Sequence, residues 1–300
     1  MSANILFLYG ATVLIWGTTW LGIKFQLGIV DPMVSVLYRF IAAAIIMMVY
    51  CKLARLKMRF RLKDHVFMAL QGMFLFSINY WIIYLASVHL TSGLVAVIFS
   101  SIVFMNIING AVLMGSSIRL NVVVGGVIGI AGIAIVFWSD ISSFSLSDKA
   151  AFGIILAAVG AFMASLGNII SARHQKYELP VIQTNAYGMT YGALIMGIIV
   201  IVGGKTFNFD MSFRYVGSLF YLAIFGTVIA FGCYLKLIGK IGADRAAYSS
   251  MLFPVVALAI STIYEGYQWS AYNIIGMVLV LIGNGLVINK KALASETPPA

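Results

Sequence analysis

Charge is scarce in this sequence. Only 9% of its 300 residues are Asp, Glu, Lys or Arg, against about 25% in a soluble globular domain. That is too little to cover a water-facing surface, which excludes a cytosolic enzyme. Acid is scarcer still, with nine Asp and Glu against nineteen Lys and Arg. Two cysteines, Cys51 and Cys233, can form neither a disulfide framework nor a zinc site. The three histidines, His65, His89 and His174, fall on three different connections, and no acid lies at ligand spacing from them. No metal and no cofactor are therefore expected. A glycine-rich phosphate loop with Lys and Ser/Thr is also missing, so the chain is not expected to hydrolyse ATP. Hydrophobic residues fill the space: 62% of the chain, with a mean hydropathy of +1.03. The same numbers exclude disorder.

A membrane-crossing helix needs about 20 apolar residues, and ten such segments can be read. They are Ala3–Ile23, Pro32–Cys51, His65–Ser87, Thr91–Met114, Asn121–Trp138, Lys149–Ser171, Pro180–Gly203, Phe213–Leu237, Asp244–Tyr264 and Ser270–Ile288. The expected fold class is an all-α integral membrane protein. The first segment starts almost at Met1, lacks a basic leader and is too long for a signal-peptide core, so no cleavable leader is expected. Residues 289–300, ending Glu-Thr-Pro-Pro-Ala, read as a disordered tail.

Net charge +10 resolves into topology. With the N-terminus inside, fourteen Lys and Arg fall on inner connections or the tail and four on outer ones, Lys24, Lys149, Lys205 and Arg214. This bias supports an even number of spans with both termini cytoplasmic, in a bacterial-type inner membrane or its equivalent. The basic loop Lys52–Lys63 reads as a topology determinant facing anionic lipid. It is too short to supply a folded nucleic-acid surface, so no nucleic-acid partner is expected.

Shifting the chain by about 150 residues lays its second half on its first. Tyr84-Leu85-Ala86 falls on Tyr234-Leu235-Lys236. Leu94–Met105 runs without gaps on Asp244–Val255, Gly125 and Gly132 recur as Gly276 and Gly283, and Pro32 recurs as Pro180. Each copy has five spans, an odd number, so the second enters the membrane from the opposite side. The boundaries are 1–140 for the first repeat and 149–288 for the second. Inverted repeats of this kind place a site near the midplane and suit alternating access.

Residues across the whole chain also carry a resemblance. They are Trp16-Gly17-Thr18-Thr19-Trp20 in the first span, Asp31-Pro32 and Arg39–Ala44 in the second, Ala246–Pro254 in the ninth, then Glu265 and Gly276 to Gly283. In this order they resemble the drug/metabolite transporter superfamily, the ten-helix type with two EamA domains. The resemblance implies a secondary transporter, often an exporter, of small metabolites such as amino acids. The pattern departs in the first half. Where the family has a Pro in the fourth span and a Glu at its end, this chain has Phe104 and Met114-Gly115-Ser116-Ser117. Only the second half keeps both, as Pro254 and Glu265.

Arg39 lies about seven residues past Pro32, about 10 Å into the bilayer, where a charge costs at least about 2.5 kcal/mol. It reads either as an anchor for a substrate carboxylate, gripped in two-pronged geometry, or as a structural Arg held by backbone carbonyls and an Asn or snorkelling outward. Trp16 is too deep for the interfacial aromatic belt in which Trp20 sits. Asn79, Tyr80, Ser100, Asn168, Tyr248 and Ser249 bring polar atoms into spans, where they need partners. Singly, each reads as helix packing; as a set they read as the lining of a pathway. Asn106 and Asn109 read as structural. Pro254 is a candidate kink or gate in the ninth span. The glycines of the fifth and tenth spans read as close-packing faces, with a homodimer contact left open beside a monomer.

All nine acids lie at helix ends, in loops or in the tail, which points to facilitated diffusion or exchange. The expected function is an exporter or exchanger of amino acids or related carboxylates. A drug or lipid carrier of the same fold stands as the alternative. An integral-membrane enzyme would need clustered His, Asp, Glu or Cys at one face, and a channel would need a repeated pore segment or charged rings. Neither pattern is in the sequence.

Overall fold

The computed structural model describes residues 3–26, 28–90, 95, 98–142, 148–264 and 269–288. Glu265, the tail and residues 91–94, 96 and 97 of the fourth segment lie outside these, as does the Trp20 side chain. Among the described residues all regular structure is helical. In chain order the helices are α1 (Ala3–Lys24), α2 (Pro32–Leu53), α3 (Leu62–Phe76), α4 (Ile78–His89), α5 (Ile102–Met114), α6 (Leu120–Val136) and α7 (Trp138–Ser142). The second half continues with α8 (Asp148–Lys176), α9 (Val181–Val202), α10 (Phe213–Ala223), α11 (Ala230–Ile241), α12 (Ala243–Ala246), α13 (Phe253–Tyr264) and α14 (Ala271–Ile288). A π-helical stretch, Ile224–Ile229, joins α10 to α11, and a 3-10 stretch, Ala247–Leu252, joins α12 to α13.

Among the described residues six helical stretches are long and apolar enough to cross a membrane: Pro32–Leu53, Leu62–Ala86, Lys149–Lys176, Val181–Val202, Phe213–Ile241 and Ala243–Ile260. Four shorter apolar helices accompany them. Large apolar side chains such as Ile45, Val49, Leu194, Ile198 and Ile201 stay exposed on the outside, which a soluble surface would not tolerate in such number but lipid does. The caps follow local chemistry. Asp31 accepts from the Met33 N–H at 2.9 Å ahead of Pro32. Gly115 ends α5 in the left-handed region at φ 68°, as a helix C-terminus favours.

Packing repeats with the sequence. Counting α1 with α8, α2 with α9, α3–α4 with α10–α11, α5 with α13 and α6 with α14, most of the larger contacts have an exchange partner, the α8–α11 contact being an exception. Helix α3 packs on α9 as α10 packs on α2; α4 on α8 as α11 on α1; α5 on α8 as α13 on α1. The α2–α9 and α6–α14 pairs exchange into themselves.

The α6–α14 seam is where the glycine faces meet, each within this one chain. A Cβ on Gly132 would lie 2.7 Å from the Gly276 carbonyl oxygen, and one on Gly125 would lie 2.8 Å from that of Gly283. Backbone against backbone at this distance admits no side chain.

The irregularities repeat as well. Segment three breaks at Ser77 and segment eight carries the π stretch; segment four has three-residue turns at Ser101→Ile98 and Val103→Ser100, and segment nine the 3-10 stretch. Pro254 is the second residue of α13. The irregular backbone therefore precedes the proline, and its missing N–H falls in a first helical turn, where it is tolerated.

Candidate functional site

The run from Phe213 to Ile241 is one helical rod with a π turn inside it. A π turn shifts carbonyls out of the α-helical ladder and presents them sideways. Here Thr227 Oγ1 donates to the Leu222 carbonyl, five residues back, at 2.9 Å. The Gly226 carbonyl accepts two bonds from the other half of the chain, from Trp16 Nε1 at 2.9 Å and from Arg39 Nη2 at 3.2 Å. Arg39 Nε donates to Thr227 Oγ1 at 2.8 Å. Glycine is required at 226 by the approach: a Cβ would lie 2.9 Å from Thr19 Cγ2 and 3.3 Å from Arg39 Nη2.

Arg39 is only 3% exposed. Its guanidinium carbon lies 5.1 Å from the Tyr80 ring centre and 5.8 Å from that of Phe40, within range of cation–π attraction. Among the described residues no ion pair to Arg39 is present. The charge is held by a carbonyl dipole, a hydroxyl and ring faces, and most of the guanidinium's N–H donors lie outside its two bonds to the π stretch.

Trp16 extends the cluster. Its ring meets Phe231 at 4.8 Å, Tyr234 at 5.1 Å and Phe253 at 5.4 Å. The Tyr234 hydroxyl accepts from Asn168 Nδ2 at 3.2 Å, and Asn168 Oδ1, in a residue 1% exposed, has no partner. A line of contacts therefore runs from Arg39 through Gly226, Trp16 and Tyr234 to Asn168.

The structure thus brings together Trp16, Arg39, Tyr80 and, through Tyr234, Asn168. The other candidates sit elsewhere. Asn79 Nδ2 donates to the Gly160 carbonyl at 3.1 Å and ties α4 to α8. Ser100 is buried in the turn ahead of α5. The Tyr248 hydroxyl donates to the Val122 carbonyl of α6, in room left by Gly126. Ser249 Oγ bonds back to the Ala246 carbonyl at 2.8 Å. Gly226, Thr227, Phe231 and Tyr234 were not singled out from sequence. The usable signal was the 150-residue offset, which sets Ser77 on Thr227 and Tyr84 on Tyr234.

Comparison with known proteins gives a family and a fold. The EamA-like transporter family matches residues 3–138 and again 151–289. The chain is similar to the uncharacterized inner membrane transporter YedA of Escherichia coli, 27% identical over 293 residues, covering 95% of this chain and 92% of that one. It is similar to the protein PagO of Salmonella typhimurium, 22% identical over 302 residues, covering 97% and 96%. A WAT1-related chloroplastic protein of Arabidopsis thaliana is 26% identical over 204 residues, covering 66% of this chain and 48% of that one. A protein of known crystal structure superposes with a TM-score of 0.81 at 17% identity, over 99% of this chain and all of the other, a likeness of fold.

Proposed function

The chain belongs to the EamA-like transporter family, and from that premise we propose that it is a secondary carrier of amino acids or related small carboxylates, working as an exporter or exchanger by alternating access between its two repeats. In this reading ten helices cross the inner, cytoplasmic membrane, five per repeat (1–140 and 149–288), with both termini inside, in a monomer or homodimer. The six long and four shorter apolar helices suit that count. YedA is named as an inner membrane transporter, which supports the location.

One observation carries the substrate class. Arg39 is buried, has no ion pair among the described residues, and is oriented by Gly226 and Thr227. A carboxylate supplies the missing counter-charge in two-pronged geometry, and the rings of Tyr80 and Trp16 provide an apolar wall for the rest of a small amphiphile. A cationic drug would find no acid paired with Arg39 among the described residues. The same contacts suggest how binding couples to motion. Arg39 and Trp16 belong to the first repeat and the π stretch to the second. An anion that takes up the guanidinium competes with the Gly226 carbonyl for it and so loosens a joint between the halves.

The test is uptake of labelled amino acids into proteoliposomes loaded with mixed amino acids, comparing the intact chain, Arg39→Ala and Arg39→Lys. Uptake that needs the chain, is abolished by Arg39→Ala and is only partly restored by Arg39→Lys is the expected result. A folded Arg39→Ala protein that transports as well as the intact one makes Arg39 structural and removes the carboxylate argument.

A further inference from the structure

The connections that leave α2 and α9 are built alike. Helix α2 ends with Arg55 in the left-handed region at φ 51° and the Leu56 N–H on the Cys51 carbonyl at 3.0 Å. Helix α9 ends with Gly204 there at φ 61° and the Lys205 N–H on the Val200 carbonyl at 3.1 Å. Each connection is then clamped by a tyrosine near the start of the other helix. The Tyr187 hydroxyl of α9 donates to the Met58 carbonyl at 2.8 Å, and the Tyr38 hydroxyl of α2 to the Asn208 carbonyl at 3.1 Å. The end of each helix therefore lies beside the start of the other, and the two clamps stand at opposite ends of the antiparallel α2–α9 pair.

The outward side chains differ. Counted from the clamped carbonyl, Lys57, Arg59, Arg61 and Lys63 fall on Phe207, Phe209, Met211 and Phe213, and all eight are exposed. In the first connection they alternate with Leu56, Met58 and Phe60, which are half-buried. Leu56 and Met58 pack against the core, and the Phe60 ring meets that of Tyr187 at 6.0 Å. A cationic ridge is thus held on an apolar underside, with cations about 6–7 Å apart along an extended strand. Among the described residues none of the four has an ion pair.

Three observations say what the ridge faces. The clamp does not need the cations, because the second copy keeps the clamp with apolar residues in their places. Arg55 holds a left-handed position that favours glycine, and the second copy has glycine there, so the first accepts strain for a further exposed cation. Leu53 and Leu62, at the two ends of the connection, are 78% and 82% exposed, which is unfavourable in water and suits hydrocarbon. The ridge between them then lies at the level of lipid headgroups, where basic residues meet anionic lipid. A topology determinant acts through the number of charges in a loop and needs neither a clamp nor a strand. We infer that Arg55, Lys57, Arg59, Arg61 and Lys63 form a built docking site for anionic phospholipid headgroups, which seats this end of the α2–α9 pair on one leaflet. On the proposed topology that leaflet is the cytoplasmic one. The inference is independent of the carboxylate reading of Arg39.

The experiment is native mass spectrometry of the purified full-length protein, counting retained phosphatidylglycerol and phosphatidylcholine of the same acyl chains, with thermal melting in mixed micelles as a second readout. The intact chain is expected to retain phosphatidylglycerol about tenfold or more above phosphatidylcholine, less so as salt rises, and to melt higher in its presence. Arg59→Gln with Arg61→Gln should weaken phosphatidylglycerol retention by about tenfold or more and abolish that rise, while melting in phosphatidylcholine alone stays unchanged. Lys236→Gln with Lys240→Gln makes the same charge change at exposed positions of α11 and should bind like the intact chain. Arg55→Gly copies the second repeat; it should melt no lower in phosphatidylcholine yet retain less phosphatidylglycerol.

Equal retention of the two lipids by the intact chain overturns the inference. So does undiminished phosphatidylglycerol retention in the Arg59 and Arg61 variant or in Arg55→Gly. An equal loss in the Lys236 and Lys240 variant assigns the attraction to net charge and not to the ridge, which overturns it as well. Inorganic phosphate that displaces phosphatidylglycerol at comparable concentration makes this a site for a free anion instead.

Discussion

Ser77 and Thr227 stand 150 residues apart at equivalent places in the two repeats, and both reach back to the carbonyl five residues earlier. Ser77 Oγ donates to Gly72 at 3.3 Å and Thr227 Oγ1 to Leu222 at 2.9 Å. The surroundings differ by one neighbour. Before Ser77 stands Phe76, fully buried, whose ring fits against Gly188; a Cβ on Gly188 would lie 3.1 Å from it. Before Thr227 stands Gly226, and the space a side chain would occupy is taken by Arg39 and Thr19, with Trp16 on its carbonyl. One kink is sealed with an aromatic ring, while the other is opened to a cation and an indole. Along the α6–α14 seam, by contrast, Gly132 and Gly276 make the same approach in both directions. Symmetry is kept where helices only need to pack and is given up where a polar site is assembled.

The strongest way to break this contrast is Gly226→Leu, which gives the second kink a bulky side chain like the first. The new side chain would collide with Thr19 and displace Arg39. Uptake in proteoliposomes should fall at least about tenfold, and thermal melting should report a loss of about 1–3 kcal/mol. Unaltered uptake would show that Arg39 needs no seat on the π stretch.

Thr227→Val follows. Shape is nearly preserved, but Arg39 Nε loses its acceptor and Leu222 its donor. A bond to a charged group is worth about 1.5–3 kcal/mol, so the KM for a carboxylate substrate should rise about tenfold or more as the guanidinium loses its orientation. A change confined to melting temperature, with KM intact, would assign Thr227 to helix stability alone.

The contrast also marks how far the sequence could be read. Low charge and long apolar runs identify the membrane class, and the 150-residue offset identifies the two repeats, because composition and repetition survive without coordinates. Arg39 and Trp16 stand out for the same reason: each is costly where it lies. The π stretch does not stand out. Ile-Phe-Gly-Thr-Val-Ile is uniformly apolar apart from one hydroxyl, and one extra residue in a helical turn leaves no trace in such a run. Tyr248 is legible as a polar group in a span, but its direction depends on Gly126 vacating a place on a helix more than a hundred residues away. Asn106 reads as structural from its spacing to Asn109, and its Nδ2 holds the Ala243 carbonyl.

Trp16→Phe separates the indole's bond from its bulk. The ring contacts with Phe231, Tyr234 and Phe253 are largely kept, and the donor to the Gly226 carbonyl is removed. A neutral bond contributes about 1 kcal/mol, which corresponds to a loss of about fivefold in affinity. Because Arg39 shares that carbonyl, Trp16→Phe combined with Thr227→Val should lose more or less than the sum of the two, as neighbours in one network do. Strict additivity in uptake kinetics would mean that the two donors do not act on a common joint.

Ser77→Ala is the smallest change and the sharpest control. It removes the hydroxyl that bonds the Gly72 and Met73 carbonyls, the counterpart of the Thr227 bond, at a kink where Phe76 stands in the place of Gly226. The carbonyls it leaves sit in helical backbone, so the loss should be about 0.5–1.5 kcal/mol in stability, seen as a modest drop in melting temperature. KM should not move. If Ser77→Ala raises KM as much as Thr227→Val does, the two kinks act on the substrate alike, and the asymmetry between Phe76 and Gly226 has no functional weight. If it leaves KM alone while Thr227→Val does not, the hydroxyl-to-carbonyl bond is common scaffold, and what distinguishes the second kink is the guanidinium that Gly226 admits.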